Sequence, residues 1–236
     1  MEKDNIAAPK EKKLQIGKWY TRPFTEADLL PVPDEWLIGP PHYVGIGIPK
    51  AGTSWWNKLI LEHPQVRNNR LKAKELAYFC HFDYRGITEA AAATYKKAFA
   101  APPGCVCGEW SPLYFNFPFA VEHLARNVPH VKLMAIVRNP IDRVPSSLNQ
   151  MFSLRFKYME LEGDRAYFYK QFSLFQEAIN CSLLYHPFKK LLDLFDRSQL
   201  LILQYEKCKA NPADEIARTY RFLGIDDRFN PPSLLT

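Results

Sequence analysis

The chain has 236 residues, of which 47% are hydrophobic and 24% charged, with a net charge of +6 and an isoelectric point near 9.0. That length suits one α/β domain with an N-terminal arm, and such a chain buries enough apolar surface to fold without disulfide or metal staples. The basic balance suits an anionic ligand such as a nucleotide, a sulfated sugar or a nucleic acid; it equally suits a solvated basic surface, because the excess forms no block of like charges.

Met1 to Lys13 is charged and without an apolar stretch, so it reads as neither a signal peptide nor a membrane anchor. No window approaches the roughly eighteen apolar residues of a spanning helix. The five cysteines have no metal-site spacing: Cys105 and Cys107 form C-x-C, and Cys80, Cys181 and Cys208 stand alone. The expectation is a soluble, cytoplasmic protein with mostly buried, reduced thiols.

In chain order, residues 1 to about 14 read as a disordered lead, and Trp19 to Pro41, with Pro23, Pro31, Pro33, Pro40 and Pro41, as an extended arm. The arm is therefore assigned to residues 1–40 and the domain to 41–236. Four apolar runs read as buried strands: 42–48, 106–109, 132–137 and 200–205. Helical patterns fall between or after them at 53–63, 88–100, 117–127, 141–152, 166–196 and 212–223. Unalternating strands separated by helices predict a three-layer α/β fold, a parallel sheet covered on both faces. Ligands bind such sheets at the carboxyl ends of the strands, where this chain carries Lys50, Glu109, Arg138 and Glu206.

The first run ends in Gly47-Ile-Pro-Lys-Ala-Gly-Thr-Ser54, a strand-to-helix loop of the kind that binds anions through backbone N–H groups and the positive helix end. Taken alone, Gly47 and Gly52 also suit a simple tight turn. They have the spacing of a nucleotide-kinase phosphate loop, yet Thr53 stands where that loop has its lysine, and Lys50 lies inside the loop instead. The third run ends in Arg138, where a Mg²⁺-dependent enzyme needs a carboxylate. The pair points to a doubly anionic nucleotide held without metal. Lys50 bridges the 5′-phosphate and leaving oxygen, Thr53 and Ser54 hold the 5′-phosphosulfate end, and Arg138 takes a second phosphate.

Two segments carry a resemblance. Lys50-Ala-Gly-Thr-Ser-Trp-Trp56 resembles the 5′-phosphosulfate loop of the sulfotransferases that use 3′-phosphoadenosine 5′-phosphosulfate (PAPS). Arg138-Asn-Pro-Ile-Asp-Arg-Val-Pro-Ser146 resembles their 3′-phosphate motif. Further segments agree in order: Lys74-Glu-Leu-Ala-Tyr-Phe79, Gly108-Glu-Trp-Ser-Pro-Leu-Tyr114, and Leu203-Gln-Tyr-Glu206 followed by Phe222-Leu-Gly224. The likeness runs from about Pro41 to Gly224 and is greatest to heparan-sulfate-type and related bacterial sulfotransferases. It implies PAPS as donor and PAP as product, no metal, and a nucleotide site of Lys50, Ala51, Gly52, Thr53, Ser54, Trp55, Arg138 and Ser146. It further implies Glu75 as the base that takes the acceptor's proton and Lys50 as stabiliser of the leaving group. Glu75 also reads as a surface carboxylate paired with Lys72 or Lys74.

Three departures from the family pattern stand out. Ala77 replaces a histidine, with His81 four residues on as a candidate substitute. Trp110 replaces a lysine that stabilises the bridging oxygen in many relatives, which leaves that work to Lys50 alone or marks a flatter, apolar acceptor pocket. The chain ends at Thr236, soon after Phe222-Leu-Gly224, where relatives continue into a basic loop over the adenine; this leaves a truncation or a minimal lid. Glu109 reads as a structural carboxylate bonding loop N–H groups, with a second acid/base as the alternative, and Tyr205-Glu206 reads as scaffold. Met151 to Tyr169, aromatic and charged, reads as an amphipathic face over the core or as a lid on the acceptor cleft. The acceptor class stays open among small molecules, glycans and lipids, as does the oligomeric state. The rival readings are a non-catalytic PAP-binding module and a kinase; nucleic acid is not expected as a partner, since no basic stripe is interleaved with aromatics.

Overall fold

A computed structural model describes residues 22–155 and 175–235 of the chain. Leu37–Gly39 (β1) and Phe99–Ala101 (β4) pair antiparallel in a small separate sheet. The central sheet contains Tyr43–Gly47 (β2), Val66–Arg67 (β3), Val106–Trp110 (β5), Lys132–Val137 (β6) and Leu200–Gln204 (β7), all parallel, in the order β3-β5-β2-β6-β7. Seven labelled helices accompany it: α1 (Thr53–Leu61), α2 (Glu89–Lys97), α3 (Pro118–Asn127), α4 (Pro140–Arg155), α5 (Tyr185–Leu194), α6 (Tyr205–Ala210) and α7 (Pro212–Leu223). The fold is the expected α/β layering, a parallel sheet flanked by helices.

Burial explains the pattern of each strand. Every residue of β2 and β5 is buried, which is why their sequences do not alternate. The edge strand β7 does alternate in burial, with Ile202 43% exposed, because one side lacks a covering layer there. On one side α1 packs with α7: Trp56 Nε1 donates to Thr219 Oγ1 at 3.1 Å, and Tyr220 OH to the Leu59 carbonyl at 2.9 Å. The partnered polar tips let these large rings be buried without loss of hydrogen bonding. On the other side α3 packs with α5.

Residues 22–40 lie against this body. Phe24 is buried beside Tyr78, Leu30 exchanges backbone and side-chain bonds with Arg70, and β1 pairs with β4. The helix expected over 88–100 therefore ends at Lys97, and Phe99 to Ala101 turn into a strand because β1 offers them a partner. The single helix expected over 166–196 is, within the described residues, a helical segment at 175–180, a turn, and then α5. Residues 156–174 of the aromatic stretch lie outside the described residues.

In register, Gly45 of β2 faces Trp110 of β5, and a Cβ added at Gly45 would overlap the Trp110 indole. The ring occupies the space a side chain would need, and its Nε1 reaches the Gly47 carbonyl at 3.4 Å. Gly45→Ala should therefore destabilise the fold by about 1–3 kcal/mol through overpacking. The check is a lower urea midpoint at unchanged m-value.

Candidate active site

The loops after β2, β5, β6 and β7 meet around a cleft of about 510 Å³. A second groove, about 610 Å³, lies at the amino ends of the strands and is lined mainly by backbone turns and apolar side chains such as Leu37, Phe99 and Leu223. The polar side chains singled out from the sequence converge on the first.

After β2 the chain turns through a loop in which Lys50 and Gly52 have φ of 65° and 85°. Gly52 is required twice over. Its left-handed φ is costly for other residues, and a Cβ there would come within 2.8 Å of the Tyr205 ring. Gly52 caps α1 without a side-chain cap hydrogen bond, and among the described residues no side chain accepts from the first N–H groups of the helix. Thr53, Ser54 and Trp55, which carry those groups, line the cleft. A helix start of this kind presents free donors and a partial positive charge to an anion.

Arg138, just past β6, lies across the same loop. Its Nη1 donates to the Lys50 carbonyl at 3.2 Å, its guanidinium carbon sits 4.7 Å from the centre of the Tyr205 ring, and its buried Nε has no hydrogen-bond partner among the described residues. Glu206 accepts from the Asn139 N–H at 2.9 Å and so fixes the turn that carries Arg138 into α4. About two turns into α4, Ser146 and Ser147 line the cleft. Arg143, wholly buried, donates to the Pro49 carbonyl at 3.3 Å, to Ser182 Oγ and to the Ala178 carbonyl. Burial pushes its pKa down from the usual arginine value.

Opposite the loop stands Glu75, whose Oε1 pairs with Lys74 Nζ at 2.7 Å. Glu75 thus carries both features weighed from the sequence: an ion pair with the neighbouring lysine, and a place on the cleft wall. Lys50, Gly52, Thr53, Ser54, Trp55, Glu75, Arg138 and Ser146 all line the one cleft, whereas Ala51 is buried behind the loop.

Several sequence expectations need correction. Trp110 lines no part of the cleft; it is fully buried against Gly45, so it does not flatten an acceptor pocket. The second strand runs one residue further than expected, to Trp110, and Glu109 points into the core instead of standing at the strand's edge. His81 closes the short turn Tyr78–His81 and does not line the cleft. Tyr205, expected as scaffold, both supports Arg138 and lines the cleft. Sequence reasoning missed Asn116, Gln150, Glu177 and Cys181 on the wall. The last two arrive through tertiary packing of the segment before α5, and no local pattern marks them.

Comparison with known proteins identifies the family and the fold. The sulfotransferase domain family model matches residues 40–231. The mouse bifunctional heparan sulfate N-deacetylase/N-sulfotransferase 4 is 26% identical over 209 residues, covering 83% of this chain and 24% of that protein. The human heparan sulfate glucosamine 3-O-sulfotransferase 6 is 26% identical over 196 residues, covering 78% and 52%. The chain thus spans about half or less of the curated relatives it matches. Among solved structures, the sulfotransferase from Alicyclobacillus acidocaldarius superposes with a TM-score of 0.63 at 22% identity, covering 83% of this chain and 85% of that one.

Substituting Gly52 tests the loop directly. Gly52→Ala should add about 1–2 kcal/mol of local strain and displace Tyr205 from beneath Arg138. Calorimetric titration with PAP should then show binding weakened by about tenfold.

Proposed function

The chain belongs to the sulfotransferase domain family, and we propose on that premise that it moves a sulfuryl group from PAPS to an acceptor hydroxyl or amine and releases PAP. The observation that carries this reading is the convergence of Lys50, Glu75, Arg138 and Ser146 on one cleft.

PAPS supplies the sulfuryl group and an adenosine bisphosphate leaving group. The N–H groups at the start of α1, with Thr53 and Ser54, hold the 5′-phosphosulfate end. Arg138 and Ser146 hold the 3′-phosphate; the buried, unpartnered Nε of Arg138 supports this, since a guanidinium is suited to forked contact with phosphate. Lys50 neutralises charge that develops on the leaving oxygen, the service a Mg²⁺ ion performs in kinases. Glu75 accepts the proton of the attacking group at a carboxylate oxygen, from the wall facing the loop. Residues 41–236 form the transferase domain, and residues 1–40 its arm.

Two of the relatives are named for heparan sulfate, so a glycan stands first among acceptors for this chain, with lipid and small-molecule acceptors next. All five cysteines are free thiols, which supports a reducing, cytoplasmic setting. No described helix is long and apolar enough to cross a membrane.

A thermal-shift titration with PAP and with ATP tests the donor: PAP should raise the melting temperature and ATP with Mg²⁺ should not. Turnover of ATP with no response to PAPS would overturn the reading. With radiolabelled PAPS and an acceptor-containing cell extract, Lys50→Ala should abolish label transfer. Glu75→Gln should slow transfer by about 10²–10⁴-fold while PAP still binds; near-normal transfer by that variant would sink the base assignment.

A further inference from the structure

Glu75 sits in an unusual stretch of backbone. Both Glu75 and Ala77 have left-handed φ values, 68° and 47°, though neither is glycine. Such conformations cost roughly 1–3 kcal/mol each and persist only where the surroundings impose them. Here the imposing element is the end of β5. Two neighbouring residues there grip two N–H groups of the turn: Glu75 N–H donates to the Trp110 carbonyl at 3.1 Å and Ala77 N–H to Ser111 Oγ at 2.8 Å.

Glu109 is the centre of this grip. Its carboxylate is almost wholly buried and accepts from Ser111 Oγ at 2.6 Å, Tyr95 OH at 2.7 Å and Tyr114 OH at 3.0 Å. Among the described residues no cation pairs with it. A carboxylate buried at that cost is kept in place by three hydroxyl donors, and one of those bonds leads through Ser111 to the strained turn. The Ser111 hydroxyl is spent on Glu109, so its lone pair is turned to the Ala77 N–H. Burial pushes the Glu109 pKa up, and hydrogen bonding opposes it.

We infer that Glu109 is a positioning residue for the transfer reaction: by orienting Ser111 it holds the left-handed turn that aims Glu75 into the cleft. Among the described residues the hydrogen bonds of its carboxylate go to Tyr95, Ser111 and Tyr114, and none to the loop after β2. The inference rests on the reading of Glu75 as base, and its test separates the two.

Glu109→Gln removes the charge and exchanges one acceptor oxygen for a donor. Single-turnover transfer from saturating radiolabelled PAPS to a fixed acceptor-containing extract fraction should fall by about 10–10²-fold, the loss expected for a misplaced catalytic group. PAP affinity by calorimetry should stay within about twofold, and amide hydrogen exchange should quicken at residues 75–77 ahead of the rest of the sheet. In the double variant with Glu75→Gln, the second substitution should slow transfer no further, since the group being aimed is gone. Ser111→Ala, a smaller change that keeps the carboxylate, should show the same pattern with a smaller fall and carries the test if Glu109→Gln does not fold. Wild-type transfer rates in both variants, or losses that add fully to that of Glu75→Gln, would overturn the positioning role and leave Glu75 as base. Normal transfer by Glu75→Gln alone would instead remove the base reading itself.

Discussion

Strand β2 is paired in parallel on both sides, with β5 and with β6, and that single constraint brings the site together. Parallel neighbours end at the same edge of a sheet, so the loops after the three strands abut without any long excursion of chain. The loop after β2 brings Lys50 and the start of α1, the turn after β6 brings Arg138, and the end of β5 meets the Glu75 turn. The fit between β2 and β5 is close enough that Gly45 gives its side-chain space to the Trp110 ring. A register slip by one residue would put a side chain where Gly45 leaves room for the Trp110 ring and also separate Arg138 from the Lys50 carbonyl.

Lys50 and Arg138 belong to the loops after β2 and β6, with the buried Arg143 bonded behind them to the Pro49 carbonyl, while Glu75 belongs to the turn gripped by the end of β5. Cations and carboxylate thus reach the cleft from different elements. On the proposed reading, that arrangement serves an anionic donor at the cations and a departing proton at the Glu75 carboxylate.

How much of this could be read from the sequence depends on how local each feature is. Pro212 and Gly224 bracket α7 at the positions where proline starts and glycine stops a helix, and that helix was legible to the residue. Lys50 and Arg138 were legible because a charged residue at the end of an apolar run is a local pattern. The strands β1 and β4 were not, because each has three residues and exists only by pairing with the other. Glu109 was read as scaffold, yet it was placed at the strand's end; it lies within β5, and its partners Tyr95 and Tyr114 come from a helix and a turn that no local pattern joins to it. Trp110 was misread. At the position of a lysine in relatives it looked like part of the pocket, whereas the vacancy that accepts its ring is created by a glycine on a neighbouring strand.

Arg143 gives the loop a dependence of another kind. A buried cation held by the Pro49 and Ala178 carbonyls and the Ser182 hydroxyl has no carboxylate paired with it among the described residues, so each of these bonds matters to the others. It ties the back of the phosphate loop to the segment that leads into α5, and that segment also contributes Glu177 and Cys181 to the cleft wall. The two halves of the cleft are therefore mechanically joined behind the site: the wall cannot swing outward without withdrawing a brace from the loop.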